Sequence, residues 1–283
     1  RRNELKKNTY GMQALLKLYC AELSSAEDVT SAREQIIANI SNGDATLLQL
    51  VELSGDYLTS TDNGVRNRAT RLLSDVLSEL ASMPMPSSQL RSLLIFFSER
   101  MKDEPCIREV LRGAHALITN FGYLISKPDA ESCIQAAGSL ISSMLKEVSV
   151  QALALTDRRH AYELVRWAAS LPALAAEPAC ASIVRDFAHC MEGERDPRNL
   201  LACFAAMSAL LVSFPARQED LQAGFASAAC YFPISFKPPP NDPVGISSTM
   251  LRDGLTAVLT VHPRLAPAAL DLALGKLAAA AAA

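Results

Sequence analysis

The amino-acid sequence predicts an all-α fold, and two observations support this prediction. Leucine and alanine dominate a chain in which only 6% of residues are aromatic, and no run of β-branched residues alternates with polar ones over the length of a strand. Apolar residues instead recur with the helical period, in segments separated by short polar connections. We therefore expect helices along most of the chain and no strand.

The helical period is clearest over residues 63–80 and 105–120. In each segment the apolar residues return every three or four positions, as they do on the buried face of a packed helix. The two predicted faces are Val65, Ala69, Leu72, Leu73, Val76, Leu77 and Leu80, and then Ile107, Val110, Leu111, Ala114, Leu117 and Ile118.

Capping and helix-breaking residues predict where the helices begin and end. Ser31 with Glu34 predicts a capping-box start, and Ser247 predicts an N-cap.

Taken in pairs, the helices recur about every 40 residues, which is the spacing of HEAT or armadillo repeats. We therefore predict a HEAT/armadillo-like α-solenoid of stacked antiparallel helix pairs, with a non-repetitive helical bundle as the alternative. The predicted helices are 11–24, 31–41, 44–59, 63–80, 87–102, 105–120, 128–147, 157–170, 178–192, 197–214, 218–231, 247–261 and 264–280.

The predicted domain organisation is one long repeat array with short additions at both ends. Residues 1–30 are an unplaced amino-terminal helix or arm, residues 31–277 are the array, and residues 278–283 are an alanine tail. Because the first residue is Arg1 rather than methionine, we expect the chain to be part of a longer protein.

One segment interrupts the helical rhythm. Residues 232–245 contain five prolines and therefore form an extended loop rather than a helix. Phe232, Ile234 and Phe236 alternate with proline or polar residues, so one side of the loop is expected to pack on the helices while the proline run stays semi-rigid.

Charge and cysteine usage restrict the possible partners. The formal net charge is -3, so there is no excess of lysine and arginine for a nucleic-acid backbone, and no stretch reaches the roughly 20 apolar residues that a membrane span needs. The seven cysteines include no CxxC pair, which predicts reduced thiols in the cytoplasm or nucleus. We expect neither direct nucleic-acid binding nor membrane binding.

No arrangement of residues predicts catalysis or a cofactor. His189 and Cys190 are adjacent and Cys180 lies ten residues earlier, which is not the spacing of a compact tetrahedral metal site. The phosphate-binding, zinc-protease and hydrolase motifs are absent from the sequence. We predict a binding protein with no catalytic residue, no cofactor and no metal; an unrecognised helical enzyme and another scaffold such as a transport receptor are the alternatives.

Two segments carry a family resemblance: Glu194-Arg-Asp-Pro-Arg-Asn-Leu-Leu201 and the loop Tyr231-Phe-Pro-Ile-Ser-Phe-Lys-Pro-Pro-Pro-Asn-Asp-Pro-Val-Gly-Ile246. They resemble the amino-terminal region of the methyl-methanesulfonate-sensitivity protein nineteen family. Shorter matching pieces include Val148-Ser-Val-Gln151 and Asp157-Arg-Arg-His160, and the resemblance covers roughly residues 31 to 277. The proline loop is its most specific part.

The resemblance implies a HEAT-repeat adaptor of the cytosolic iron-sulfur assembly (CIA) targeting complex, linked to DNA repair and transcription. Such an adaptor recruits apo iron-sulfur proteins and connects them to the other subunits of the complex. The implied partners are those subunits and client enzymes of DNA metabolism, and the implied locations are the cytoplasm and the nucleus.

We nominate as the partner-binding surface eight residues in the two segments that carry the resemblance. The alternative is structural, because asparagine and aspartate beside proline often cap backbone groups and Arg198 could tie two repeats together. The nominated residues are Phe232, Phe236, Lys237, Asn241, Asp242, Asp196, Arg198 and Asn199.

Overall fold

The computed structural model describes residues 2–22, 24–81, 83–127, 130–215, 217–238 and 245–282. Fourteen α-helices, joined by short turns and 3-10 helices, account for most of these residues, and none of them lies in a strand. The prediction of an all-α fold is confirmed. Within these ranges, no helix combines the length and the hydropathy that a membrane-spanning segment requires.

The chain divides into two compact units, residues 1–136 and 137–283. The boundary falls inside the eighth helix. The helices are α1 Arg2–Cys20, α2 Ala26–Ser41, α3 Leu47–Leu53, α4 Gly55–Leu58, α5 Asn63–Glu79, α6 Ser87–Arg100, α7 Ile107–Phe121, α8 Glu131–Glu147, α9 Leu155–Ala169, α10 Ile183–Met191, α11 Pro197–Ser213, α12 Gln218–Ala229, α13 Ser248–Thr260 and α14 Ala266–Ala281.

In the first unit, α5 and α7 share the most extensive helix interface, and α1 packs against α2, α3 and α5. All six apolar residues predicted for the face of α7 are buried, as are six of the seven on α5, and Val65 is half-buried. Gly113 allows α7 to approach its neighbours, because a Cβ atom there would meet the Ser74 hydroxyl and lie 2.6 Å from the Phe97 ring. The helical period therefore predicted these two faces correctly.

A buried carboxylate links three helices of the first unit. Asp75 of α5 is 6% exposed and accepts hydrogen bonds from Arg33 of α2, at 2.9 Å, and from Arg112 of α7. A nearby pair adds a second link, since Arg66 Nε donates to Asp103 at 2.6 Å. Each of these carboxylates is paired with a guanidinium group, so neither one places an unpaired charge in the helix interfaces.

The second unit shows the packing expected of stacked helix pairs. Helix α11 packs against both α9 and α13 in one row, and α10 packs against α12 in the other. Contacts of α10 with α11 and of α12 with α13 join the two layers. Packing between every second helix is typical of the inside of an α-solenoid and not of an up-and-down bundle. The paired packing is confirmed, while the HEAT or armadillo class of the repeats stays a prediction.

Two local predictions are wrong and one is confirmed. The helix predicted from Ser31 begins at Ala26 instead, because Ser25 accepts a hydrogen bond from the Asp28 amide at 3.0 Å and caps it. The helix predicted over residues 44–59 breaks at Ser54 into α3 and α4. Ser247 does cap α13, accepting from the Met250 amide at 3.1 Å.

The two ends of the chain are helical. Met12, Leu16 and Tyr19 of α1 are buried, so the amino-terminal 30 residues contribute to the interior of the first unit. At the other end α14 continues to Ala281, within the alanine run. The domain boundaries at residues 31 and 277 stay a prediction.

Candidate partner-binding surface

Glu194 is the centre of the first nominated segment, although it was not itself nominated. It lies between α10 and α11 and is 1% exposed. Arg158 of α9 donates to both carboxylate oxygens, at 2.7 and 3.0 Å, and Tyr162 donates its hydroxyl at 2.9 Å. The backbone amides of Arg195 and Asp196 each donate at 3.0 Å. A paired, hydrogen-bonded carboxylate of this kind ties α9 to the start of α11.

These partners also decide the charge state of Glu194. Burial by itself raises the pKa of a carboxyl group, but hydrogen bonds from Arg158, the Asp196 amide and Tyr162 outweigh it, so the pKa of Glu194 lies below its usual value. Burial raises the pKa of Tyr162, which therefore stays a hydrogen-bond donor. The network consequently holds one negative charge, matched by the guanidinium of Arg158.

Three nominated residues lie around this carboxylate. Asp196 caps α11 by accepting from the Arg198 amide at 2.9 Å, and its side chain also accepts from the Arg198 guanidinium at 2.7 and 2.9 Å. The ion pair with Arg198 is the main reason why the pKa of Asp196 is lowered. Asn199 is fully buried and donates to Leu155 and to Glu194, both at 3.2 Å. Only Arg198 presents an appreciable side-chain surface, with 42% exposed.

The sequence analysis did not identify the residues around Glu194 as its partners. Two residues of this network nevertheless lie in segments that carried the family resemblance. Gln151 donates to the Tyr162 hydroxyl and to the Cys190 carbonyl, each at 2.8 Å, and so extends the network. Gln151 and Arg158 both lie in the shorter pieces that carried the family resemblance. Three separate pieces of the resemblance therefore meet at one buried cluster.

The proline loop is held at both ends. At its start the Tyr231 hydroxyl donates to the Met191 carbonyl at 3.0 Å, and its ring packs edge-on against Phe204 with centroids 5.7 Å apart. At its end Ile246 is buried, and Gly245 adopts a φ of 67°, which is a left-handed conformation that favours glycine. The loop therefore leaves and rejoins the helices at fixed points.

Between these ends the described part of the loop has two different sides. Phe232, Ile234 and Phe236 are half-buried, while the residues between them are exposed. The exposed residues include Lys237 and Pro238. This alternation agrees with the packing expected from the sequence. The nominated residues Asn241 and Asp242 lie outside the described residues.

The structure thus separates the nominated residues into two groups. Asp196 and Asn199 are occupied by hydrogen bonds within the protein, while Arg198, Phe236 and Lys237 have surface that a partner could contact. Partner binding by these residues stays a prediction. No group of three or more His, Cys, Asp or Glu side chains suited to a metal ion occurs in the part of the chain that the structure describes.

A family profile matches the chain over both units. The MMS19 amino-terminal profile, whose description is "Dos2-interacting transcription regulator of RNA-Pol-II", matches residues 51–283. The chain belongs to the MMS19 family. The match includes the Glu194 cluster and the proline loop, so the MMS19 resemblance predicted from those two segments is confirmed.

Individual MMS19 relatives agree with the profile. The chain is 34% identical over 255 residues to the zebrafish (Danio rerio) MMS19 nucleotide excision repair protein homologue, which covers 88% of this chain. It is 32% identical over 244 residues to the human protein of the same name and 27% identical over 248 residues to that of Dictyostelium discoideum. The chain spans only 21–23% of the length of these relatives. The names of these relatives and of the profile link the MMS19 family to DNA repair and transcription.

Proposed function

We propose that this chain is a non-enzymatic adaptor that recruits apo iron-sulfur proteins to the cytosolic iron-sulfur cluster targeting complex, with links to DNA repair and transcription. Its partners are other subunits of that complex and client enzymes of DNA metabolism. It works in the cytoplasm and the nucleus. Membership of the MMS19 family supports the link to repair and transcription.

The observation that carries the proposal is the two-sided proline loop. In its described part Phe232, Ile234 and Phe236 are half-buried and both ends are anchored, while Lys237 and Pro238 are exposed. A segment whose two ends are fixed loses less conformational entropy when a partner binds it than a free chain does. A stack of helices that displays such a segment is suited to binding large and dissimilar proteins through many weak contacts.

The state of the cysteine thiols supports an adaptor that does not hold a cluster itself. Burial raises the pKa of Cys20, Cys106 and Cys180 to about 11 and that of Cys190 to about 12. The thiolate is the form that binds iron or acts as a nucleophile, and raised pKa values keep these groups protonated near neutral pH. In this proposal the iron-sulfur cluster is cargo of the client proteins.

Affinity capture tests the proposal. The purified chain is incubated with cytosolic and nuclear extracts, and the bound proteins are identified by mass spectrometry. We expect enrichment of iron-sulfur enzymes and of targeting-complex subunits from both extracts. Recovery of transport cargo instead, or of neither class, would count against the adaptor function.

A loop variant locates the binding surface. The double substitution Phe236→Ala and Asp242→Ala, shown to be folded by circular dichroism, is expected to lose most of the captured clients. Tyr10→Ala is a matched control because Tyr10 is an aromatic residue, 72% exposed, on α1 of the other unit. Equal losses in both variants would mean that the loop is not the binding surface.

A further inference from the structure

The first unit contains an open apolar groove that the proposed function does not use. It has a volume of about 870 Å³ and lies between α3–α4 on one side and α6 on the other, with Leu73 and Leu80 of the α5 segment beneath. This volume is within the range of binding sites in proteins, about 300–1,000 Å³. The principal apolar side chains of its two walls are Leu47, Leu48, Val51, Leu58, Leu93 and Phe96.

Leu48 shows that the groove is incompletely covered. Its side chain is 53% exposed, whereas its neighbour Leu47 is 1% exposed. Water against a large apolar side chain is unfavourable, and an exposed apolar residue beside a concave apolar surface is typical of a binding site. Covering Leu48 would therefore contribute favourably to association.

The walls of the groove favour a helical ligand over an extended one. Gln89, Ser92, Leu93 and Phe96 of α6 line it at intervals of three and four residues, which matches the spacing of side chains on the facing side of another helix. An extended peptide would need partners for its backbone amides and carbonyls, yet the lining is mostly apolar and the described residues offer no strand edge. A helix satisfies its own backbone groups.

The charge around the groove favours a basic ligand. Residues 44–62, which comprise α3, α4 and the turns that flank them, contain four acidic residues and no lysine or arginine. Exposed Glu52 lies one helical turn beyond Leu48, and Glu79, which already pairs with Arg33 at 2.9 Å, lines the groove. At the far end Arg100 stacks over the Phe96 ring at 5.6 Å and lies 3.5 Å from Asp103, a carboxylate that it shares with Arg66.

We propose that this groove binds the apolar face of an amphipathic helix from a partner protein, with lysine or arginine residues flanking that face. Leucine-sized side chains at positions i, i+3, i+4 and i+7 would occupy the groove, and the basic residues would meet the acidic wall. The inference is independent of iron-sulfur clients, because it concerns the other unit of the chain from the proline loop.

Three synthetic peptides of equal length test the proposal by fluorescence anisotropy at physiological salt. The first has leucines on one helical face and lysines elsewhere, the second replaces every lysine with glutamate, and the third has the composition of the first in scrambled order. We expect the first peptide to bind about tenfold or more tightly than either of the others. Equal binding of the scrambled peptide would show that net charge alone accounts for the binding, and it would overturn the proposal.

Substitutions in the groove provide the decisive control. Leu48→Asp adds a negative charge, so non-specific attraction of the lysine peptide would increase, whereas loss of the apolar contact should weaken binding about tenfold. Val212→Asp in the other unit, at a residue that is 71% exposed, makes the same change outside the groove and should leave binding unchanged. Undiminished binding by a folded Leu48→Asp variant would refute the site.

Charge-reversal substitutions distinguish the effect of the acidic wall on binding from the effect of the overall charge of the protein. Glu52→Lys should weaken binding of the lysine peptide and strengthen that of the glutamate peptide, while Asp253→Lys, at an exposed residue of the other unit, should do neither.

Light scattering provides the last test. A wild-type dimer that becomes a monomer in Leu48→Asp would show that a second copy of this chain fills the groove and would overturn the proposal of a basic partner helix.

Discussion

The Glu194 cluster and the proline loop belong to the same family resemblance but use their polar residues in opposite ways. Glu194 accepts hydrogen bonds from Arg158 and Tyr162 of α9, from Asn199 of α11 and from two backbone amides, and it has almost no exposed surface. Lys237 and Pro238 of the loop are exposed. Residues of one family resemblance can therefore be either buried among internal partners or exposed, and only the exposed ones are available to a partner.

The largest effect that we expect from this comparison is that of Glu194→Ala. Removing the carboxylate leaves the Arg158 guanidinium, the Tyr162 hydroxyl and two amides without their acceptor in a buried site. The free energy of unfolding should fall by ~3–5 kcal/mol. Urea denaturation followed by circular dichroism measures this free energy. A loss below ~1 kcal/mol would contradict a structural role for the Glu194 cluster.

The pH dependence of stability should differ between wild type and Glu194→Gln. The folded-state pKa of Glu194 is lowered, so its ionised form adds stability above the unfolded-state value of about 4.3, and this contribution disappears as the pH falls through the folded-state pKa. Wild type should therefore lose stability more steeply below about pH 4.3 than the variant does. Denaturation curves at a series of pH values check this, and parallel profiles would contradict the lowered pKa.

A smaller effect is expected at the start of α11. Asp196→Ala removes the N-cap acceptor of the Arg198 amide and the partner of the Arg198 side chain, which should cost about 1 kcal/mol. Asp196→Ser retains a capping oxygen and should recover part of this loss. The melting temperatures of the two variants provide the measurement, and a greater loss with serine than with alanine would exclude capping as the cause.

The smallest effect on stability is expected in the loop. Lys237→Glu changes an exposed residue, so the free energy of unfolding should stay within ~0.5 kcal/mol of wild type. Capture of clients by the same variant should nevertheless decrease, because the charge of the proposed binding surface is reversed. Thermal melts together with quantitative capture would show whether stability and binding separate at this residue; a decrease in stability without a change in binding would assign the loop a structural role.

The hydrophobic pattern predicted most of the fold because it is a local property. Helices α5 and α7 bury the faces that their three- and four-residue intervals indicate, and Ser247 caps α13 as its position predicts. The error at Ser31 has a local cause as well: Ser25 and Asp28 repeat the same capping pattern six residues earlier, and Ser31 lies inside the resulting helix.

The sequence by itself determined the helical class, the apolar faces and the two segments that identify the family, because each depends on neighbouring residues. Only the tertiary structure decided which polar groups are buried. Glu194 meets Arg158 across 36 positions of the chain, and Asp75 meets Arg33 across 42. Such pairs, and the groove between α3–α4 and α6, arise from distances between separate helices, which a one-dimensional periodicity does not encode.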